Sequence, residues 1–137
     1  MLITPDIVKA ARLANERHFG QFDKQGMPYI MHPFSVANMC ETEEQIIVAL
    51  LHDILEDTET SEEELREMFS KQIVDAIVLL TRPENLTYKE YVAKVKENEL
   101  ATYVKLRDLA HNTDENRGPI SDSLKERYAW AKEYLKN

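Results

Sequence analysis

Glycine, cysteine and long apolar runs are all scarce in this chain of 137 residues. It has three glycines, and no stretch shows the strict alternation of apolar and polar residues that is typical of half-buried strands. A single cysteine, Cys40, excludes an internal disulfide and fits a reducing compartment. The longest apolar run, residues 46–51, is far shorter than the roughly 20 residues that span a bilayer. The sequence therefore predicts neither a disulfide-stapled domain nor a membrane span.

Basic residues are in the minority, with 17 Lys and Arg against 25 Asp and Glu and a net charge of −8. Because neutralisation of phosphates by Lys and Arg supplies most non-specific affinity for nucleic acids, we do not expect a polymeric nucleic acid as partner. A small phosphorylated substrate stays compatible with this charge, since a bound divalent cation can invert the local field. The N-terminus has no signal-peptide pattern, which together with Cys40 predicts a cytoplasmic protein without a membrane partner.

Helix-start patterns recur along the chain. Thr4 and Pro5 supply an N-cap and a proline at the first helical position, which predicts a helix to about Phe19. Ser or Thr followed three residues later by Glu or Gln, the capping-box pattern, occurs at Thr42, Ser61, Thr87 and Ser123. Apolar spacing adds helices around 71–80 and 99–113. We predict an all-α fold, in which residues 1–137 form one domain of about eight helices.

The helix predicted to end at Asp57 carries charged groups in an apolar setting. Residues 46–51 are all apolar, which predicts a buried, central helix. His52, Asp53, Glu56 and Asp57 follow directly, although isolated buried charges cost several kcal/mol each unless they are paired or bind a metal. In a continuous helix, residues four apart lie on one face. We therefore expect His52 and Asp53 to reach one cation, with the other two carboxylates beside it.

Two further segments place polar groups among apolar residues. Asp108 lies at an apolar position of the helix predicted over 99–113, and His32 precedes a proline at the start of a short helix predicted to run to Cys40. With His52 and Asp53 they make two imidazoles and two carboxylates, a donor set that suits Mn²⁺ or Fe²⁺ better than Zn²⁺. The metal site predicted from the residues is therefore His32, His52, Asp53 and Asp108.

Simpler interpretations of the same residues stay open at this point. Asp108 could pair with Arg107 or with a histidine of a structural network, and Glu56 and Asp57 could form an ordinary solvated helix end. His111 is expected beside the site or in the core. The aromatic residues of the C-terminal half are expected to pack in the core rather than to stack on a nucleotide.

Three motifs carry a resemblance to a known family. They are Gly-Met-Pro-Tyr-Ile-Met-His-Pro (26–33), Ala-Leu-Leu-His-Asp-Ile-Leu-Glu-Asp-Thr (49–58) and Val-Lys-Leu-Arg-Asp-Leu-Ala-His-Asn (104–112). In this order they resemble the HD-type hydrolase domain of the Rel/SpoT proteins and the stand-alone small alarmone hydrolases, including the metazoan type. The resemblance covers most of the chain and implies an HD-type helical bundle.

The resemblance also implies a function. It implies a metal-dependent phosphohydrolase that removes the 3′-pyrophosphate from guanosine 3′,5′-bis(diphosphate), with Mn²⁺ on the four metal ligands named above. It implies that Glu56 and Asp57 assist the attacking water, that Asn112 contacts the nucleotide sugar and that Lys24 meets a phosphate. The implied partner is thus a small nucleotide, and the sequence makes no prediction of the oligomeric state.

One residue departs from the family pattern. Asp23 stands where the family usually carries an arginine near the guanine base, while Lys24 matches. The substitution leaves the predicted metal ligands intact but leaves open which nucleotide base the protein recognises. Two alternatives therefore remain beside alarmone hydrolysis: an HD-type hydrolase of another nucleotide or phosphomonoester, and a non-catalytic nucleotide-binding regulatory module.

Overall fold

The computed structural model describes residues 1–137 and is helical throughout, with no named strand. A 3₁₀ turn covers Glu115–Arg117, and one isolated antiparallel bridge joins Phe22 to Pro28. The α-helices are α1 (Pro5–Arg17), α2 (Met31–Asn38), α3 (Glu43–Leu51), α4 (Ile54–Asp57), α5 (Glu62–Met68), α6 (Lys71–Leu80), α7 (Tyr88–Lys96), α8 (Glu99–Asn112) and α9 (Asp122–Lys136). The predicted all-α fold is confirmed.

Local capping explains where several helices begin. The side chains of Thr42 and Thr87 each accept a hydrogen bond from the backbone N–H three residues later. The side chains of Gln45 and Glu90 in turn accept a hydrogen bond from the backbone N–H of the cap residue. These two predicted capping boxes are complete, so each satisfies backbone donors that the first helical turn leaves unpaired. Ser61 caps α5 through the backbone N–H of residue 64.

Helix α3 is the centre of the domain. The six residues 46–51 are fully buried, and the helix packs against α1, α2, α6 and α8. They belong to a single hydrophobic core of 29 buried residues drawn from most helices. A helix that is apolar all round must be covered on every side, and the surrounding helices supply that cover. The predicted central position of this segment is confirmed.

The predicted helix from Thr42 to Asp57 is wrong in one respect, because it is interrupted after Leu51. His52 and Asp53 form a turn, and α4 begins at residue 54; Asp53 has φ −106° and ψ 2°, outside the helical range. The Asp53 carboxylate is bonded to the Tyr29 hydroxyl, a contact from another segment that the local sequence does not contain. This break gives nine α-helices instead of about eight.

Two other helix starts differ from the prediction. Helix α2 begins at Met31, two residues before Pro33, because the turn over residues 28–31 leads directly into it. Pro33 then occupies the first turn, where its missing N–H costs no helical hydrogen bond. Helix α9 is capped by Ser121, whose side chain accepts from the backbone N–H of residue 124, so the capping box predicted at Ser123 is wrong.

Helix α9 packs on its own domain, against α7 and α8, and buries Ala131 and Leu135. None of the helices is both long enough and apolar enough to cross a membrane.

Candidate metal centre

The four predicted metal ligands come together from three separate elements. His32 lies in the first turn of α2, His52 and Asp53 form the turn between α3 and α4, and Asp108 lies on α8. Oδ1 of Asp108 is 2.9 Å from Nε2 of His32 and 3.4 Å from Nε2 of His52. Oδ2 of Asp53 is 3.1 Å from Nε2 of His52 and 3.9 Å from Nε2 of His32. Both histidines and Asp108 are buried, and the Asp53 side chain keeps 21% exposure.

Each histidine presents the same ring nitrogen to the carboxylates. Nδ1 of His52 lies 2.6 Å from the Ala49 carbonyl oxygen, so it donates to that oxygen and leaves Nε2 facing Asp53 and Asp108. Nδ1 of His32 lies 2.7 Å from Nδ1 of His111, with the two rings stacked 5.0 Å apart. Partners at Nδ1 fix the tautomer and orientation of a ligating imidazole. Both Nε2 atoms are thereby held available to one cation.

The two carboxylates are also held by neighbours. Asp53 accepts a hydrogen bond from the Tyr29 hydroxyl. Asp108 accepts from Nζ of Lys105 at 2.8 Å and from Nδ2 of Asn112 at 3.1 Å. Neither Tyr29 nor Lys105 was predicted as a site residue, although Lys105 is three residues before Asp108 and therefore on the same helical face.

The acids of the cluster hold their negative charge. Burial alone raises the pKa of Asp53, but the interactions with the two imidazoles, of which that with the charge of His52 is the largest, together lower the pKa to about 2. Burial likewise raises the pKa of Asp108, and the charge of Lys105 with the hydrogen bond from His32 lowers it well below its usual range. Burial lowers the pKa of His52, yet the charge of Asp53 raises it well above the ordinary value. The paired carboxylates therefore favour a cation between them.

A divalent cation fits these residues. Nε2 of His52 is buried and, despite its closeness to both carboxylates, makes no hydrogen bond of acceptable geometry. A buried polar atom without a partner is uncommon and calls for an explanation, for which an ion is one candidate. Imidazole nitrogens and carboxylate oxygens in equal number suit a borderline or hard divalent metal. The cluster has the donor set and the charge to hold one.

The two predicted catalytic carboxylates lie next to this cluster. Ligand atoms of Asp53, Glu56 and Asp57 all lie within 4.8 Å of one another, because the short helix α4 follows Asp53 directly. Glu56 accepts a hydrogen bond from the backbone N–H of Arg82 at 3.1 Å. Both side chains reach solvent. Partial desolvation, followed by the negative charges of Asp53 and Glu56, raises the pKa of Asp57.

The predicted substrate-binding residues line a cavity of about 300 Å³. Asn112 connects it to the cluster, since it donates to Asp108 and accepts from the Arg117 guanidinium. Lys24 lies on the exposed loop before Tyr29 and makes no hydrogen bond or ion pair with the metal cluster. The structure thus brings Asn112 to the centre and leaves Lys24 on the cavity wall.

Asp23, the departure from the family pattern, lines the same cavity. Its Oδ1 accepts the backbone N–H groups of Gln25 at 2.8 Å and Met27 at 3.0 Å. Such bonds are how aspartate organises a tight turn. One carboxylate oxygen therefore holds the loop, and the other is free of hydrogen bonds within the chain.

The chain is similar to known proteins in sequence and in fold. The HD domain family matches residues 10–115. The chain is 32% identical over 151 aligned positions to the guanosine-3′,5′-bis(diphosphate) 3′-pyrophosphohydrolase MESH1 of Danio rerio, covering 97% of this chain and 84% of that protein. A solved structure of a metazoan SpoT orthologue described as hydrolysing ppGpp superposes with a TM-score of 0.76 at 23% identity. It covers 100% of this chain and 89% of that one.

Longer bacterial relatives match over a part of their length. The guanosine-3′,5′-bis(diphosphate) 3′-pyrophosphohydrolase of Aquifex aeolicus is 39% identical over 93 residues, which cover 65% of this chain and 13% of that protein. The chain therefore spans a small fraction of the long relatives and most of the short one. The family match extends over more than half of the chain and includes all four clustered His and Asp residues, so the chain belongs to the HD domain family.

Proposed function

We propose that this chain is a divalent-metal-dependent phosphohydrolase that removes the 3′-pyrophosphate from guanosine 3′,5′-bis(diphosphate). The observation that carries the proposal is the convergence of His32, His52, Asp53 and Asp108, with two further carboxylates beside Asp53. The HD family implies a divalent metal, and the long alignment with the Danio rerio enzyme supports the substrate.

The proposed metal ligands are Nε2 of His32, Nε2 of His52 and one carboxylate oxygen each of Asp53 and Asp108. We propose Mn²⁺ as the ion, with Fe²⁺ or another divalent metal as the alternative, because the donors are half nitrogen and half oxygen. When bound, such an ion lowers the pKa of a coordinated water and polarises a phosphoryl oxygen. Four protein ligands would leave coordination positions for water and phosphate oxygens.

Glu56 and Asp57 are the proposed acid and base. The water oxygen forms a bond to the phosphorus attached to the 3′-oxygen, and the bond from that phosphorus to the 3′-oxygen breaks. One proton leaves the water, and one proton reaches the departing 3′-oxygen, so the products are GDP and pyrophosphate. Either carboxylate can orient the water and accept its proton, and the other can supply the proton to the leaving oxygen.

The 300 Å³ cavity is the proposed place of the nucleoside. We propose that Asn112, which lines this cavity and is bonded to Asp108 and Arg117, contacts the sugar. Lys24 provides a mobile positive charge for a phosphate. The cytoplasmic location and the single domain over residues 1–137 stay predictions.

A second candidate function keeps the metal chemistry and changes the substrate to another nucleotide or phosphomonoester. Asp23 favours it, because a carboxylate stands on the cavity wall with one oxygen free of internal bonds. Such an oxygen accepts hydrogen bonds from a base and repels phosphate.

The deciding experiment is hydrolysis of guanosine 3′,5′-bis(diphosphate) by metal-stripped protein, with Mn²⁺, Fe²⁺, Mg²⁺ or Zn²⁺ added back singly. Anion exchange resolves the products. We expect GDP and pyrophosphate in equal amounts with Mn²⁺. If the protein binds metal but does not hydrolyse this substrate, the second candidate function, hydrolysis of another nucleotide or phosphomonoester, is favoured. If it binds nucleotides but releases no product from any of them, a non-catalytic regulatory module is favoured.

A further inference from the structure

A second cavity, of about 180 Å³, borders the metal centre on the side of α6, α7 and α9. His52, Asp53 and Glu56 form one part of its wall, and Arg82 and Arg127 form another. It shares Asn112 and Tyr128 with the larger cavity described above. An anion in this second cavity would therefore lie beside the reacting groups and next to the proposed nucleoside cavity.

The two arginines of this cavity converge on one aromatic ring. The guanidinium carbon of Arg127 is 4.8 Å from the centre of the Tyr88 ring, and that of Arg82 is 5.7 Å from it. Neither guanidinium forms a salt bridge, although the chain carries 25 acidic residues. Arg82 makes two long contacts of 3.4 Å with the Leu86 carbonyl. Stacking restrains both side chains and leaves the N–H donors of Arg127 and the remaining donors of Arg82 for another acceptor.

Tyr88 adds an independent observation. Its hydroxyl is buried and has no hydrogen-bond partner, although the residue lines the cavity. Buried hydroxyl groups nearly always have a partner. An acceptor oxygen in the cavity would supply one.

The loop that carries Arg82 contacts one of the two proposed catalytic carboxylates, because the Arg82 backbone N–H donates to Glu56. The cavity wall holds the carboxylates of Asp53 and Glu56 and three cationic side chains, of which Lys105 is bound to Asp108. Once a divalent cation lies on the His and Asp cluster, the local charge is positive. The cavity is then suited to an anion with several acceptor oxygens.

We propose that Arg82 and Arg127 bind the distal phosphate of a diphosphate group, the phosphate that is not attacked. This inference rests on the proposed phosphohydrolase function and deepens it. Planar guanidinium groups match phosphate oxygens in paired hydrogen bonds. A monophosphate at the metal would lack this second phosphate, so the proposed subsite would select substrates that carry a diphosphate.

The test is binding of inorganic pyrophosphate to the full chain loaded with Mn²⁺, measured by titration calorimetry at constant free Mn²⁺. Arg127→Gln and Arg82→Gln are each expected to weaken pyrophosphate binding by about tenfold or more, the effect of losing charge-assisted hydrogen bonds. Inorganic phosphate and Mn²⁺ itself should bind each variant within about threefold of the parent, and Arg127→Lys should retain part of the pyrophosphate affinity. Both arginines are exposed, so the variants should keep the parent circular dichroism spectrum.

Arg12→Gln is the matched control, because Arg12 is an exposed arginine on α1 without a salt bridge. It removes the same charge and should leave pyrophosphate binding unchanged. Equal pyrophosphate affinity in the parent, control and both cavity variants, or no pyrophosphate binding by the parent, would overturn the proposal. Because the probe is not a nucleotide, the subsite can stand even if guanosine 3′,5′-bis(diphosphate) is not hydrolysed. It can also fail while that reaction proceeds.

Discussion

Nδ1 of His32 lies 2.7 Å from Nδ1 of His111, so one of these two nitrogens carries a proton and the other does not. If Nε2 of His32 binds a metal, its proton must be on Nδ1, and His111 is the acceptor with its own proton on Nε2. Burial lowers the pKa of both rings, which favours the neutral forms that this arrangement needs. We therefore expect His111 to act as a positioning residue for His32.

Replacing His111 should weaken metal binding. His111→Ala removes the acceptor for Nδ1 of His32 and is expected to lower Mn²⁺ affinity by about 10- to 100-fold, the usual cost of losing such a partner. His111→Gln keeps an acceptor oxygen and should recover part of that loss. Calorimetric titration with Mn²⁺ measures both. Equal affinity of the Ala and Gln variants would show that the contact does not orient His32.

Substitutions at Asp53 and Glu56 should distinguish metal binding from catalysis. Asp53→Ala removes a proposed ligand, so we expect loss of both Mn²⁺ binding and hydrolysis. Glu56→Ala should keep Mn²⁺ binding and slow turnover by about 10²- to 10⁴-fold, the typical contribution of acid–base catalysis. Glu59→Ala is the matched control, because Glu59 is exposed and makes no side-chain hydrogen bond. Full activity of Asp53→Ala would refute the assignment of the site.

Removal of the metal should lower the thermal stability of the domain. A ligand that binds only the folded state and is present at 100 times its Kd raises the free energy of unfolding by about 2.7 kcal/mol. For a domain of this size that corresponds to roughly 8 °C in Tm. Calorimetric melts with EDTA and with added Mn²⁺ measure the difference, and Asp53→Ala should show no rise on adding Mn²⁺. A parent Tm that is indifferent to Mn²⁺ would contradict metal binding at this cluster.

Cys40 gives a prediction of pH dependence away from the site. Burial raises the pKa of its thiol to about 11, from an ordinary value of 9.0, and the positive charge of Arg107 opposes this shift. Because the folded pKa is the higher one, the stabilising contribution is complete below pH 9 and is lost as the pH rises towards 11. Native protein at pH 8 should resist a thiol reagent such as DTNB, and protein in urea should react at once.

Comparison with a Cys40→Ala variant isolates this effect from other titrating groups. Urea denaturation at pH 8 and at pH 11 should show a smaller loss of unfolding free energy in the variant than in the parent. Rapid labelling of the folded parent at pH 8 would mean that Cys40 is accessible and would contradict its buried position next to the Val36 carbonyl.

Local sequence patterns predicted most of the helices. Thr42 with Gln45 and Thr87 with Glu90 marked helix starts that need only neighbouring residues, and the apolar spacing of 71–80 matched α6 at both ends. The interruption at His52 was not predictable in this way, since the apolar period continues through it. The N-cap of α9 is Ser121 and not the predicted Ser123, because both positions carry a suitable hydroxyl and the local pattern does not distinguish them.

The sequence by itself determined which residues are available for chemistry, because buried charge in apolar segments is costly and must be compensated. It singled out His32, His52, Asp53 and Asp108. Ala49, Lys105 and Asn112, which hold His52 and Asp108, lie within four residues of them along the chain. Only the tertiary structure decided how His32 and Asp53 are held, since their partners His111 and Tyr29 come from distant segments and such contacts leave no local periodic signal. Helix propensity and capping act within a few residues, whereas the orientation of an imidazole depends on whichever acceptor the packed helices bring beside it.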